Sequence, residues 1–242
     1  MKDLLLQDVA HDCAVNRFGF YCVPEAFQHT EVAKKLRRGE VNEPRTLELI
    51  SRMVGEGDVI SGGSFIGDFL PPLSSFLVPG ARVHSFEPNP DAFDAASQVI
   101  ALNALLNVDL HPVAVGKEEA VLPFQNMRRS GKAMGGLSKI VEEHIEGQTV
   151  EVPVTRLDDL IDAGRKISVL QLDIEGQEWP ALQGAQGIIT RNMPMIVVES
   201  LETTEARVDE DKLAELAPDA GYKFMGKMER NSFFLPLAAR GL

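Results

Sequence analysis

Short apolar runs and helical stripes alternate along the middle of the chain. Residues 59–61 and 82–86 are apolar runs bounded by turn residues, a pattern typical of buried strands. Residues 44–53 and 91–103 repeat their apolar positions at helical spacing. Residues 108–115 predict a third strand. Because strands separated by helices usually pair in parallel, the pattern predicts an α/β domain.

The C-terminal part continues this alternation and then changes. Residues 168–173 and 195–200 predict a fourth and a fifth strand, with an amphipathic helix over 178–189 between them. Residues 222–228 and 232–237 flank a polar turn and predict an antiparallel hairpin. The predicted fold is a Rossmann-like, doubly wound sheet that is mostly parallel and ends in this hairpin.

Two segments depart from the alternation. Residues 1–57 contain no strand-like run, and we interpret residues 1–42 as a helical or irregular extension to a domain over residues 43–242. Residues 117–155 form an insertion whose loop is too long for a simple connector. The insertion contains two strand-like pieces, at residues 120–124 and 150–154. We interpret its loop as a lid or substrate loop.

Composition restricts the partners. Hydrophobic residues make up 44% of the chain and charged residues 25%, as in ordinary folded domains. The net charge of −12 repels polyphosphate backbones, so we expect no nucleic-acid partner. The basic cluster at residues 34–38 lacks interleaved aromatics and is interpreted as a solvated helix face.

Cysteine usage and hydropathy bear on compartment and metals. Cys13 and Cys22 have no CxxC or histidine partners at metal-ligand spacing, so we expect neither a metal site nor a disulfide framework. No signal-peptide pattern and no run of about eighteen apolar residues is present. We therefore expect a cytoplasmic protein without a membrane span. The oligomeric state is left open and includes a homo-oligomer.

A glycine-rich turn follows the first predicted strand. In doubly wound sheets, ligands bind at the carboxyl ends of the strands, where the segment from Ser61 to Gly67 lies. Gly62, Gly63 and Gly67 allow the backbone to approach a ligand closely, and a helix N-terminus follows. The turn therefore predicts a cofactor loop.

Glu87 strengthens this interpretation. It follows the second predicted strand, twenty residues after Gly67, where a carboxylate accepts hydrogen bonds from ribose hydroxyls. The spacing suits both NAD and S-adenosylmethionine. Because the turn lacks GxGxxG, pyrophosphate binding is disfavoured, and an NAD-dependent oxidoreductase becomes the weaker alternative.

Several short motifs, in order, resemble one family. They are residues 57–69, Phe86-Glu87-Pro88-Asn89, Ala101-Leu102-Asn103, Ala114-Val115-Gly116, residues 154–160 and Leu172-Asp173-Ile174-Glu175-Gly176. Over residues 43–235 the chain resembles the FkbM family of S-adenosylmethionine-dependent methyltransferases. The resemblance implies a seven-stranded class I methyltransferase fold and O-methylation of a small-molecule, sugar or polyketide-type acceptor. The residues predicted to bind S-adenosylmethionine are Ser61, Gly62, Gly63, Ser64, Phe65, Gly67, Glu87, Pro88, Asn89 and Val115.

The turn departs from the family pattern at two positions. Where the family usually reads Asp-Val-Gly-Ala-Asn-Ile-Gly, this chain has Ser61 in place of the acid and Phe65 in place of the amide. Both family side chains help to position the amino-acid end of the cofactor. A non-catalytic binding or assembly module with a methyltransferase-like fold is therefore the main alternative function.

Asp173 is the predicted catalytic residue. The resemblance and its position at the end of the fourth strand both put it beside the sulfonium and the acceptor hydroxyl, where a carboxylate can orient the hydroxyl or remove its proton. His84 and His111 lie inside predicted strands and are interpreted as structural. The candidate substrate residues are Glu175, Glu199, His144 and Arg128.

Overall fold

The structure is a computed structural model that describes residues 12–199 and 208–238. Its strands are β1 (Asp12–Asn16), β2 (Gly19–Val23), β3 (Asp58–Gly62), β4 (Val83–Phe86), β5 (Val108–His111), β6 (Ala114–Val115), β7 (Ala120–Gln125), β8 (Lys139–Ile140), β9 (Thr149–Thr155), β10 (Ile167–Leu172), β11 (Met195–Glu199), β12 (Tyr222–Met228) and β13 (Asn231–Pro236). Its α-helices are α1 (Glu31–Arg37), α2 (Pro44–Met53), α3 (Leu70–Phe76), α4 (Pro90–Leu102), α5 (Leu157–Leu160), α6 (Glu178–Gln183), α7 (Gln186–Asn192) and α8 (Glu210–Leu216).

A seven-stranded sheet forms the centre, in the order β12-β13-β11-β10-β3-β4-β5. The five strands from β11 to β5 are parallel, whereas β13 pairs antiparallel with β11 and with β12. Side chains alternate between two apolar layers: Ile60 and Leu170 pack on one face, and Val59 and Val169 on the other. The predicted doubly wound, mostly parallel sheet with its C-terminal hairpin is confirmed.

The predicted third strand is wrong in its extent. Residues 108–111 form β5 in the central sheet, but residues 114–115 form β6 in a second sheet, ordered β6-β9-β7-β8. Pro112 lies between them and has no N–H to continue the ladder, so the chain leaves the central sheet there. The second sheet contains the two strand-like pieces of the insertion, paired antiparallel as β7 and β9.

The expectation that residues 1–57 contain no strand is also wrong. β1 and β2 pair as an antiparallel hairpin that packs on α4. The side-chain amide of Asn103 accepts from the Phe20 N–H at 2.8 Å and donates to the Phe20 carbonyl at 2.7 Å. This long-range contact satisfies the backbone of the hairpin, and a local pattern does not reveal it.

The helix predicted over residues 178–189 is divided into α6 and α7. Gly184 separates them, and a Cβ at this position would lie 2.0 Å from the Gly116 carbonyl oxygen, so the chain passes too close to Gly116 for a side chain. Asp158 then caps α7, accepting from the N–H groups of Gly187 and Ile188 at 2.8 Å each. Among the described residues, no helix is both long and apolar enough to cross a bilayer.

Candidate active site

A cavity of about 500 Å³ opens at the carboxyl ends of β3, β4, β10 and β11. Its volume falls within the ordinary range for small-molecule sites. The glycine turn and Glu87 form one side, and Asp173 with the loop after β10 forms another. Residues from the N-terminal segment and from the insertion close the remaining sides, so segments remote in sequence share one cavity.

The glycine turn needs its glycines. Gly63 has φ +82°, and a Cβ there would lie 2.0 Å from the carbonyl oxygen of Asp173. Gly67 has φ +80° and packs against α4. Of the predicted residues in this turn, Gly63 and Phe65 line the cavity. Ser61, Gly62, Ser64 and Gly67 lie outside its lining.

Ser61 stands where the family usually has an acid, and its hydroxyl bonds another side chain of the protein. Its hydroxyl donates to the side-chain oxygen of Gln171 at 2.7 Å, and both residues are buried. Gln171 itself lines the cavity. The usual acid is therefore replaced here by the hydroxyl of Ser61 hydrogen-bonded to the side-chain amide of Gln171.

Phe65 lies in the left-handed region, with φ +44°, which is unusual for a bulky residue. Its ring packs edge-on against Phe27, with the centroids 5.1 Å apart, and contacts Gly135 of the insertion. The N-terminal segment and the insertion thus meet on this side chain. Buried ring contacts offset the backbone strain of the substitution.

Glu87 is held by the glycine turn itself. Its Oε2 accepts from the Phe65 N–H at 2.8 Å, and its Oε1 accepts from the Asn89 N–H at 2.9 Å. Burial raises the pKa of this carboxyl to about 7. Each oxygen retains a lone pair for a ligand hydroxyl, and Glu87 lines the cavity.

Apolar groups border Glu87. Phe86, Pro88 and Val115 line the same part of the cavity, and the His111 ring stacks on Phe86 with centroids 5.2 Å apart. Asn89 lies outside the lining and instead caps α4, accepting from the Asp91 N–H at 3.2 Å. The cavity therefore offers flat apolar walls next to a buried carboxylate.

Asp173 directly follows β10 and lines the cavity, where the sequence predicts it. Its N–H donates to the Gly62 carbonyl at 3.1 Å, which ties it to the glycine turn. Burial, and then the negative charge of Glu199, raise the pKa of the Asp173 carboxyl well above its usual range. Asp173 is therefore a stronger base than an ordinary aspartate.

Glu175 and Glu199 converge on Asp173. One carboxylate oxygen of each of the three residues lies within 4.8 Å of the other two. Burial, and then Glu199, raise the pKa of Glu175 to about 7. Glu199 forms an ion pair with Arg230 at 3.0 Å. The structure thus brings together three of the predicted site residues that are separated in sequence.

Glu178 is a positioning residue that the sequence does not single out. Its carboxylate accepts from the N–H groups of Ile174 at 3.0 Å and Gly176 at 3.1 Å. Between them Glu175 has φ +52°, an unfavourable conformation for glutamate that the Glu178 contacts maintain. The available signal is that residues 173–178, directly after a predicted strand, contain three acids in the order Asp173, Glu175 and Glu178.

The two predicted substrate residues of the insertion lie in different places relative to the cavity. Arg128 lines the cavity, but His144 does not. The side chain of His144 is 58% exposed and contacts Thr149 and Glu151. The sequence placed both on one loop, whereas the second sheet directs them to different surfaces.

The N-terminal segment contributes a polar chain that the sequence does not predict. The Lys35 ammonium donates to Asn42 at 2.8 Å, and Asn42 donates to Asp68 at 3.0 Å. Burial raises the pKa of Asp68 to about 6. All three residues line the cavity. Asn42 and Asp68 are 26 residues apart, so no local pattern marks this chain of contacts.

Comparison with known proteins agrees with this geometry. The model of the methyltransferase FkbM domain matches residues 62–224, which is more than half of the chain. Among curated proteins, none matches significantly. The match begins within the glycine turn and includes Glu87 and Asp173, whereas the cavity-lining residues of the N-terminal segment lie before it.

Two solved structures have similar folds. The methyltransferase FkbM from Methylobacillus flagellatus KT is 18% identical, with a TM-score of 0.51, and the match covers 74% of this chain but only 43% of that one. The M. jannaschii TYW2 structure, a complex with AdoMet, is 13% identical over 96% of this chain and 90% of that chain, also with a TM-score of 0.51.

These matches confirm the predicted family and the class I methyltransferase fold. The spacing from Gly67 to Glu87 suits both NAD and S-adenosylmethionine, and the matches favour S-adenosylmethionine over an NAD-dependent oxidoreductase. The fold is that of S-adenosylmethionine-dependent methyltransferases, and the glycine turn, Glu87 and Asp173 lie where such a fold binds its ligands. The chain belongs to the FkbM methyltransferase family.

Proposed function

We propose that the protein transfers a methyl group from S-adenosylmethionine to a hydroxyl oxygen of a small molecule, sugar or polyketide-type acceptor. One observation carries the proposal: the buried Glu87 and the basic carboxylate Asp173 line the same cavity, on either side of Gly63. A carboxylate that can bind the cofactor ribose and a carboxylate that can accept the acceptor's proton thus face the same cavity.

The residues present fit the cofactor. Gly63 lines the cavity without a side chain, so its backbone can meet the ligand directly. Glu87 has lone pairs for the two ribose hydroxyls, and the apolar walls beside it suit an adenine ring. Gln171 and backbone groups of the turn would hold the amino-acid end.

The reaction requires alignment and removal of one proton. S-adenosylmethionine supplies a methyl group on a sulfonium, and breaking the carbon–sulfur bond leaves both electrons on sulfur as the neutral thioether of S-adenosylhomocysteine. The acceptor oxygen forms the new carbon–oxygen bond with its own lone pair. Asp173 orients this oxygen and takes its proton, which its raised pKa favours.

The charges of the cavity favour a small, uncharged or cationic acceptor. Its lining contains more acidic side chains than basic ones: Glu31, Glu43, Asp68, Glu87, Asp173, Glu175 and Glu199 against Lys35, Arg128 and Arg230. These charges, like the net charge of −12, disfavour a nucleic-acid substrate. Localisation in the cytoplasm and assembly as a homo-oligomer remain predictions.

A non-catalytic binding module is the second candidate, and the substitutions at Ser61 and Phe65 favour it. The Phe65 N–H nevertheless still bonds Glu87, because that contact uses backbone and not the lost amide side chain. This supports retained cofactor binding in either case. Binding of S-adenosylhomocysteine without transfer to any acceptor in a hydroxyl-compound library would favour the module.

Isothermal titration of S-adenosylhomocysteine into purified protein tests the proposal. We expect binding, weakened by Glu87→Ala and unchanged by Glu119→Ala, which removes an exposed acid outside the cavity. Mass spectrometry of acceptors incubated with S-adenosylmethionine should then show a methyl gain. Absence of binding to well-folded protein contradicts the proposal.

A further inference from the structure

Asp173, Glu175 and Glu199 form a cluster of three carboxylates, but the proposed reaction uses only Asp173. Glu199 is 7% exposed, and its Oε2 is buried without a hydrogen-bond partner in the part of the chain that the structure describes. Leaving a buried carboxylate oxygen unpaired costs free energy. The unpaired oxygen therefore points to a ligand that binds there.

Charge around the group is unbalanced. Arg230 pairs with the Oε1 of Glu199, but the Arg230 side chain is 71% exposed and is screened by water. Glu43 and Glu178 add further negative charge near Asp173. Lys139, also exposed, is the other cation that acts on Glu175. Two exposed cations against three converging carboxylates leave the cluster short of positive charge.

We propose that Asp173, Glu175 and Glu199 bind a divalent cation of the Mg²⁺ or Mn²⁺ class. The donors are all carboxylate oxygens, which such hard cations prefer, and no histidine or cysteine is among them. Oxygens on opposite sides of these ions lie about 4 Å apart, so the observed limit of 4.8 Å requires only a small side-chain adjustment. Glu175 is partly exposed and can make it.

The role of the cation rests on the proposed function. Bound at the acceptor side of the cavity, the cation would take the acceptor oxygen as a ligand and make its hydroxyl more acidic. The second oxygen of Asp173 could then accept the proton even though the bound cation lowers the pKa of this carboxyl. The acceptor would then be a hydroxyl compound with a second oxygen able to join the coordination. In this arrangement Glu175 and Glu199 are ligands of the cation, and Asp173 is both a ligand and the proton acceptor.

Binding of Mn²⁺ to the full chain tests the site without any methyl transfer. Electron paramagnetic resonance of free Mn²⁺, with titration calorimetry, measures the affinity near neutral pH. We expect one site per chain, competition by Mg²⁺, and affinity weakened about tenfold or more by Glu199→Gln. Glu175→Gln, at a partly exposed position, is the second variant should Glu199→Gln fail to fold. Glu119→Gln is the matched control for surface binding.

Each outcome decides the proposal. Mn²⁺ binding that both variants weaken and the control does not supports it. No binding, or binding unaffected by either variant, overturns it. Binding of a primary amine such as putrescine in place of Mn²⁺, lost in Glu199→Gln, overturns it in favour of an ammonium site. Because S-adenosylhomocysteine binding is measured separately, failure of the proposed function is distinguishable from failure of the metal site.

Discussion

The two ends of the central sheet both contain buried acids, but their surroundings are opposite. At the amino end, Asp58 accepts from Arg165 through both carboxylate oxygens at 2.6 Å and contacts His84 at 2.9 Å. At the carboxyl end, Asp173 and Glu199 face each other with one exposed arginine nearby. One end has its charges paired, and the other does not.

The pKa directions follow this difference. Burial raises the pKa of Asp58, but hydrogen bonds from His84 and Arg165 more than reverse this and hold it well below its usual range. Burial and Glu199 raise the pKa of Asp173. Paired acids stabilise the fold, whereas unpaired acids at the ends of strands mark the part that binds and reacts. The comparison therefore separates structural from functional acids within one sheet.

The largest expected effect is on the reactive end. Asp173→Asn removes the proton acceptor and should lower kcat by about 10²-fold or more, while S-adenosylhomocysteine binding persists. Its melting temperature should rise or stay unchanged, because a repelling charge is removed. Turnover assays and thermal melts check both parts. Unchanged kcat would show that Asp173 does not handle the proton.

The matching change at the structural end is Asp58→Asn. The substitution leaves Arg165 and His84 without their anionic partner and should lower the free energy of unfolding by about 2–3 kcal/mol. The loss is kept to this size because the Arg165 side chain is partly exposed and water screens its charge. Urea denaturation measures it. Cofactor affinity of the folded fraction should not change. A loss of affinity with unchanged stability would reverse the assignment of the two ends.

Glu87→Gln should weaken S-adenosylhomocysteine binding by about tenfold or more, since the hydrogen bonds from the two ribose hydroxyls lose the charge of their acceptor. It also changes the pH dependence of stability. The pKa of Glu87 is about 7 when folded against 4.5 unfolded, so its contribution is full below pH 4.5 and is lost as pH rises toward 7.

Denaturation of the ligand-free protein at several pH values measures that contribution. The decline in unfolding free energy between pH 4.5 and 7 should be shallower in Glu87→Gln than in the unchanged chain. Parallel curves would mean that Glu87 keeps an ordinary pKa. Asp58 acts in the other sense: its contribution is present above pH 3.8 and is lost on acidification.

The smallest expected effect is that of His144→Ala. His144 lies outside the cavity lining, so kcat/KM should stay within about twofold of the unchanged chain. Arg128→Ala, which does line the cavity, is the companion variant and should raise KM. A tenfold loss in His144→Ala would show that the insertion brings this histidine to the acceptor.

Local sequence predicted the residues that directly follow strands. The glycine turn, Glu87 and Asp173 each come at the end of an apolar run, and parallel strands place such positions at one edge of the sheet. The same logic found Glu199. It failed for residues 108–115, because the apolar run continues across Pro112 although the chain changes sheets there.

Contacts between distant segments were beyond such reasoning. Asn103 completes the N-terminal hairpin, and Glu229 caps α2 by accepting from the Thr46 N–H at 3.0 Å. Nothing in the spacing of these residues marks them as partners, because pairing depends on how helices and hairpins pack. The positions of Arg128 and His144 relative to the cavity depended on the second sheet in the same way.

The sequence by itself determined the order of the central-sheet strands along the chain, the cofactor turn and the family, because these depend on local periodicity and on residues adjacent to each other in the chain. Only the tertiary structure decided which acids are paired. Asp58 and Asp173 both lie at the ends of buried strands, and electrostatic free energy depends on distance and burial in space, not on separation along the chain.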